Sequence, residues 1–175
     1  MGLLDFLGLS RRSEPAADGD AESIRRIARR LDEMDPRQAR YLAAFAYLLG
    51  RVANADSAIS ELESSRMEEL VEEKGHLTRE QAVMTVEMAK RQNRLFGHVE
   101  NFLVTREFNE LSSREQRLEL LDCLFSVCAA DRSITAVEDR EIRQIASELL
   151  LDHRDFIDVR SRYREHLEVL RKLDE

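Results

Sequence analysis

Val52-Ala-Asn-Ala-Asp56-Ser-Ala-Ile59-Ser60-Glu-Leu-Glu63 returns 75 positions later as Val127-Cys-Ala-Ala-Asp131-Arg-Ser-Ile134-Thr135-Ala-Val-Glu138. The register extends without a gap: Leu49 meets Leu124, Met67 meets Ile142 and Leu70 meets Ile145. In each copy an apolar run at helical spacing leads into the Asp, and a hydroxyl-x-x-Glu capping box opens the next helix. Each copy therefore reads as a helix–loop–helix. A repeat that keeps its register predicts two pseudo-symmetric hairpins packed in one domain.

Outward from the repeat, the punctuation is helical throughout. A strongly charged helix is expected over 23–34, and Asp35-Pro36 supplies an N-cap and an N1 proline for the helix carrying Tyr41, Phe45, Leu48, Leu49 and Val52. Ser60 opens a helix that Gly75 is expected to end, and Thr78-Arg-Glu-Gln81 opens another. Gly97 marks a break before 98–111, and Ser113-Arg-Glu-Gln116 and Thr135-Ala-Val-Glu138 open two more helices. Asp152 caps a last one holding Phe156, Val159, Tyr163, Leu167 and Leu170. With 6 Gly and 2 Pro, the chain is too poor in turn residues for a many-stranded β protein, and no segment alternates with period two. The expected class is all-α, with seven to eight helices.

Two regions are expected. Residues 1–20 comprise a short apolar stretch (Leu3, Leu4, Phe6, Leu7) and a linker rich in Ser, Pro, Gly and Asp; residues 21–175 form the helical domain. Fewer than three turns make a marginal helix in water, so residues 2–8 are expected to dock, on this domain, on a protein partner or weakly on a membrane. The net charge of −8 argues against a nucleic-acid partner, and Arg25, Arg26, Arg29 and Arg30 read as a solvated helix face. Cys123 and Cys128 lie five apart in an apolar run and read as reduced core residues without a second ligand pair for zinc. No run approaches the roughly 20 apolar residues that span a bilayer. A cytoplasmic location is expected, and the oligomeric state is left open.

The chemistry of the repeat lies in its oxygens. Asp56 and Glu63 stand seven apart, as do Asp131 and Glu138, the spacing of positions 5 and 12 of an EF-hand loop. A loop carboxylate and a helix-start carboxylate can converge on a hard cation, calcium or magnesium, and the helix N-terminus favours negative charge there. The match is partial, because Val52 and Val127 fill position 1 and Ser57 and Arg132 replace the glycine at position 6. A structural reading stands beside it: Glu63 and Glu138 as capping-box partners, Asp56 and Asp131 as Asx-turn acceptors, Ile59 and Ile134 as loop anchors.

These residues resemble the TerB-like family associated with tellurite resistance, and the same module resembles the N-terminal part of membrane-anchored J-domain co-chaperones. The family loop reads Ala-Asp-Gly-x-Ile-[Ser/Thr]-x-x-Glu and occurs twice, as here, and Leu149-Leu-Leu-Asp-His-Arg-Asp-Phe156 is similar to the family's closing turn. The resemblance covers roughly residues 38–165. It implies an all-α domain of about seven helices, a stress-response or interaction role, and divalent-metal ligands at Asp56, Glu63, Asp131 and Glu138. The departure is the glycine missing from both loops; Arg132 sets a cation beside Asp131, which makes the first loop the better metal candidate.

No catalytic constellation is found. His76, His98, His153 and His166 fall at helix ends or polar positions and are expected to be exposed. Glu73-Lys-Gly-His76 has the Glu-x-x-His spacing of di-iron bundles but crosses the expected helix end at Gly75. The leading expectation is a non-enzymatic interaction domain with cation-responsive loops. A helical adaptor with purely structural loops is the alternative, and a metal-dependent hydrolase using the same carboxylates ranks third.

Overall fold

The computed structural model of the chain describes residue 29 and residues 32–95 and 98–171. The expected apolar stretch 2–8, the linker after it and most of the helix expected over 23–34 lie outside the described residues. Within them the fold is all-α, as the punctuation predicts. Eight helices follow in order: α1 (Pro36–Ala53), α2 (Glu61–Gly75), α3 (Arg79–Leu95), α4 (His98–Leu111), α5 (Arg114–Cys128), α6 (Ala136–Glu148), α7 (His153–Ser161) and α8 (Glu168–Arg171). Single 3-10 turns, Ala129–Asp131 and Arg164–His166, precede α6 and α8.

Helix α1 organises the core. Asp35 Oδ1 accepts from the N–H groups of Arg37 (3.0 Å) and Gln38 (3.1 Å), and Pro36 needs no partner at N1. From Leu42 to Ala53 every residue is buried, so this helix is enclosed on all sides. Helices α2 to α6 all pack against it. The two expected hairpins, α1–α2 and α5–α6, lie face to face: α1 meets α5, and α2 meets both α5 and the turn that follows it.

Helix α1 carries a buried charge into this shell. Arg51 is 5% exposed and donates through Nε to Glu141 (2.6 Å) and through Nη1 and Nη2 to Glu148 (2.7 and 3.1 Å), all on α6. Thr105 of α4 joins from the side, accepting from Arg51 (3.3 Å) and donating to Glu148 (2.9 Å). Burial alone would raise the Glu148 carboxyl, but the Arg51 bond, helped by Gln144 and Thr105, holds it below the usual carboxylate range. The first helix of one hairpin is thus clamped to the second helix of the other.

Three helix ends shape the fold, and of these only the one at Ser161 departs from expectation. Gly75 is the last residue of α2, and the left-handed cap falls on His76 (φ 49°). A Cβ on Gly75 would lie 2.8 Å from Leu42 Cδ2 and 2.9 Å from Leu77 Cγ, so close packing against α1 requires the glycine there. Second, the helix capped by Asp152 stops at Ser161 and does not run on to Leu170. The chain bends so that Leu167 pairs in a short parallel bridge with Ile134: Ile134 N–H donates to His166 (2.7 Å) and Glu168 N–H to Ile134 (3.1 Å). Third, α6 closes in a Schellman arrangement, Leu151 N–H to Ala146 C=O (3.1 Å) and Leu150 N–H to Ser147 C=O (3.0 Å). Its left-handed position is filled by a leucine, Leu150, at φ 58°.

Candidate functional site

Both repeat loops are built alike. Asp56 Oδ1 accepts from Ala58 N–H at 3.0 Å, and Asp131 Oδ1 from Ser133 N–H at 3.0 Å, so each Asp closes an Asx turn. The next residue enters the left-handed region in both, Ser57 at φ 68° and Arg132 at φ 71°. These are the two places where the sequence pattern lacks the glycine of the resembling family, and the backbone there is the one glycine adopts freely. Ser57→Gly is expected to stabilise the fold by about 0.5–1 kcal/mol, since left-handed strain of roughly 1–2 kcal/mol outweighs the added freedom of the unfolded chain. Urea unfolding checks this; a loss of stability would mean the Ser57 side chain holds the loop.

After the turns, the two capping boxes form as the spacing predicts. Ser60 N–H donates to Glu63 Oε2 (2.7 Å) and Glu63 N–H to Ser60 Oγ (3.1 Å). Thr135 N–H and Oγ1 donate to Glu138 Oε2 (2.8 and 2.9 Å), and Glu138 N–H returns to Thr135 Oγ1 (3.2 Å). The boxes turn both glutamates inward, and each is 3% exposed.

What the linear sequence does not reveal is that the two loops open on one cleft. Its volume is about 310 Å³, and Asp56, Glu63, Asp131 and Glu138 all line it. Glu63 and Glu138 meet across the pseudo-twofold, each with a carboxylate oxygen within 4.8 Å of the other. Burial pushes both carboxyls above the usual range, Glu138 to about 7, while the cap bonds from Ser60 and Thr135 pull the other way. For Glu138, the charge of Glu63 adds to the rise.

Two further residues join that sequence reasoning did not place. Cys128, expected only as a core residue, faces the two glutamates: ligand atoms of Glu63, Cys128 and Glu138 lie within 4.8 Å of one another. Its thiol is raised well above its ordinary value, first by burial and then by Glu138, so it keeps its proton. The clue was available: Cys128 aligns with Ala53 and directly precedes the repeat loop. Glu168 reaches the rim because the Ile134–Leu167 bridge brings it there, and it accepts from Ser133 Oγ at 2.9 Å. That bridge also separates the copies, since Ile134 is fully buried whereas Ile59 is half-buried.

Among the described residues no histidine lines the cleft. His76 and His153 are exposed as expected; the side chain of His98 lies outside the described residues. His166 departs from expectation: it is half-buried, and its Nδ1 is enclosed without a hydrogen-bond partner. The Glu73–His76 spacing falls across the end of α2, so it presents no helical Glu-x-x-His face.

The donors suit a divalent cation. Two buried carboxylates and two rim aspartates offer hard oxygens, and a spread of 4.8 Å or less among Glu63, Glu138 and Cys128 fits ligands around a single ion. Among the described residues no helix is long and apolar enough to cross a membrane. The model of the family described as tellurite resistance protein TerB matches residues 41–161, which spans both loops and the network around Arg51. No curated protein and no solved structure matches the chain.

Proposed function

We propose that this chain, which belongs to the TerB family, is a non-catalytic helical interaction domain whose two Asp/Glu loops together hold one divalent cation. The observation that carries the reading is the choice of glutamate at the two inward capping boxes. The same chain caps α3 and α5 with Gln81 and Gln116 in the reciprocal position, bonding to Thr78 N–H (2.8 Å) and Ser113 N–H (2.9 Å). A glutamine therefore completes such a box here without charge. Where the two boxes face each other in the core, the chain instead buries two acids against one another, which is unfavourable unless a proton or a cation lies between them. Glu63, Glu138, Asp56 and Asp131 would hold the ion, with Cys128 and Glu168 beside them. The ion would neutralise the cluster and tie the two hairpins together.

A protonated thiol is a poor nucleophile, and among the described residues no histidine lines the cleft; both favour binding over hydrolysis. A purely structural role draws support from the same bonds, since each Asp closes its turn and each Glu its box without metal. The family's description, tellurite resistance, supports a role in chemical stress, and a protein partner is part of the proposal.

Calorimetric titration of the metal-free protein at pH 8 with calcium, magnesium, manganese and zinc separates the two readings. One cation per chain is expected. Asp56→Asn should weaken binding more than Asp131→Asn, because Arg132 follows Asp131 directly. Absence of heat at millimolar cation, or two independent sites per chain, would contradict the shared site.

A further inference from the structure

We propose that the apolar N-terminal stretch of this same chain, residues 2–9, seats in a groove formed by α4, the start of α5 and the end of α6. The groove encloses about 350 Å³ between Phe102, Arg106, Asn109, Arg117 and Leu150, and shares no lining residue with the loop cleft.

Leu150 is the first sign of an occupant. It holds the left-handed cap of α6, where glycine carries no steric penalty and a leucine costs roughly 1–2 kcal/mol. Its side chain is nevertheless 75% exposed, beside Phe102 at 54%. Strain and exposure together leave an uncovered leucine without benefit to the domain, whereas a covered one is an anchor. The second sign is polar. Asn109 uses Nδ2 on the Glu148 carbonyl (2.7 Å), while its Oδ1 is buried and finds no donor among the described residues. A backbone N–H of a seated segment would supply one once the Asn109 side chain turns towards the groove.

Residues 2–9 suit the groove in composition and reach. Leu3, Leu4, Phe6, Leu7 and Leu9 offer apolar side chains to Phe102 and Leu150, and the rim carries both signs, Arg106 and Arg117 beside Glu110 and Glu148. The Arg40–Glu107 ion pair (3.2 Å) sets the start of α1 beside the half of α4 that lines the groove. The 26 residues from 10 to 35, at up to roughly 3.3 Å each, reach any part of it.

The chain contains no tryptophan, so Phe6→Trp in the 175-residue chain is a single reporter. The expected result is a blue-shifted emission, independent of protein concentration, that moves to the red on adding Leu150→Gly or Phe102→Ser. Leu150→Gly relieves backbone strain, so its helical circular dichroism should persist while the reporter is released. Water-like emission in the single variant would overturn the proposal, as would blue emission that survives both groove substitutions. Blue emission that appears only as concentration rises would overturn it in favour of a second copy.

Discussion

Replacing Arg51 by methionine is expected to lower folding stability by about 3–5 kcal/mol, the cost of stranding a buried acid when its partner is removed. Arg51 is 5% exposed and holds both oxygens of Glu148, whose remaining partners are Thr105 and Gln144. Without the guanidinium, Glu148 must either stay charged, half-buried and without its main partner, or take up a proton. Urea unfolding of Arg51→Met at pH 7 measures the loss. Adding Glu148→Gln should recover much of it, because no charge is then left behind. If Arg51→Met costs under about 1 kcal/mol, the clamp is no more than an exposed pair would be worth. The clamp also gives an acid limit. Glu148 lies below its ordinary range when folded, so its stabilisation is present above the unfolded value of 4.5 and is lost as pH falls through the folded one.

Glu138→Gln has the opposite sign. The folded carboxyl is raised from 4.5 to about 7 by burial, partly offset by the Thr135 bonds and increased by Glu63. Between those values the folded state holds a proton that the unfolded state releases. The stability this contributes is complete below about 4.5 and is lost as pH rises through about 7. In chelator at pH 8 the metal-free wild type carries that penalty in full. Glutamine keeps the box, as Gln81 and Gln116 do, and can donate to Glu63. The variant is therefore expected to be more stable than wild type at pH 8, on the order of 1–2 kcal/mol, with the advantage shrinking towards pH 5. A variant less stable at pH 8 would mean that the protein already compensates the Glu138 charge without any ion.

Features settled within a few residues were legible in the sequence. The caps at Asp35, Ser60, Thr78, Ser113, Thr135 and Asp152 stand where the punctuation puts them, because an N-cap bonds no further than its own first turn. The 75-residue repeat gave both hairpins and all four loop carboxylates. Features that rest on contacts across the chain were not legible. Arg51 meets partners 90 and 97 positions away, although one signal was present: it is the single charge in residues 41–53, where apolar residues surround it on every side. The break after Ser161 depends on Leu167 reaching Ile134, and the periodicity of Phe156, Val159 and Tyr163 continues straight through it. Merging two candidate loops into one cleft needed the pseudo-twofold itself, and that also drew in Cys128.

If a cation replaces the proton on the raised Glu138 carboxyl, binding must release that proton. Calorimetry near pH 6.5 in two buffers of different ionisation heat, comparing wild type with Glu63→Gln/Glu138→Gln, reads this directly. The account predicts close to one proton released per cation bound by wild type, and no binding by the double variant. Binding without proton release, or equal binding by the double variant, would contradict it.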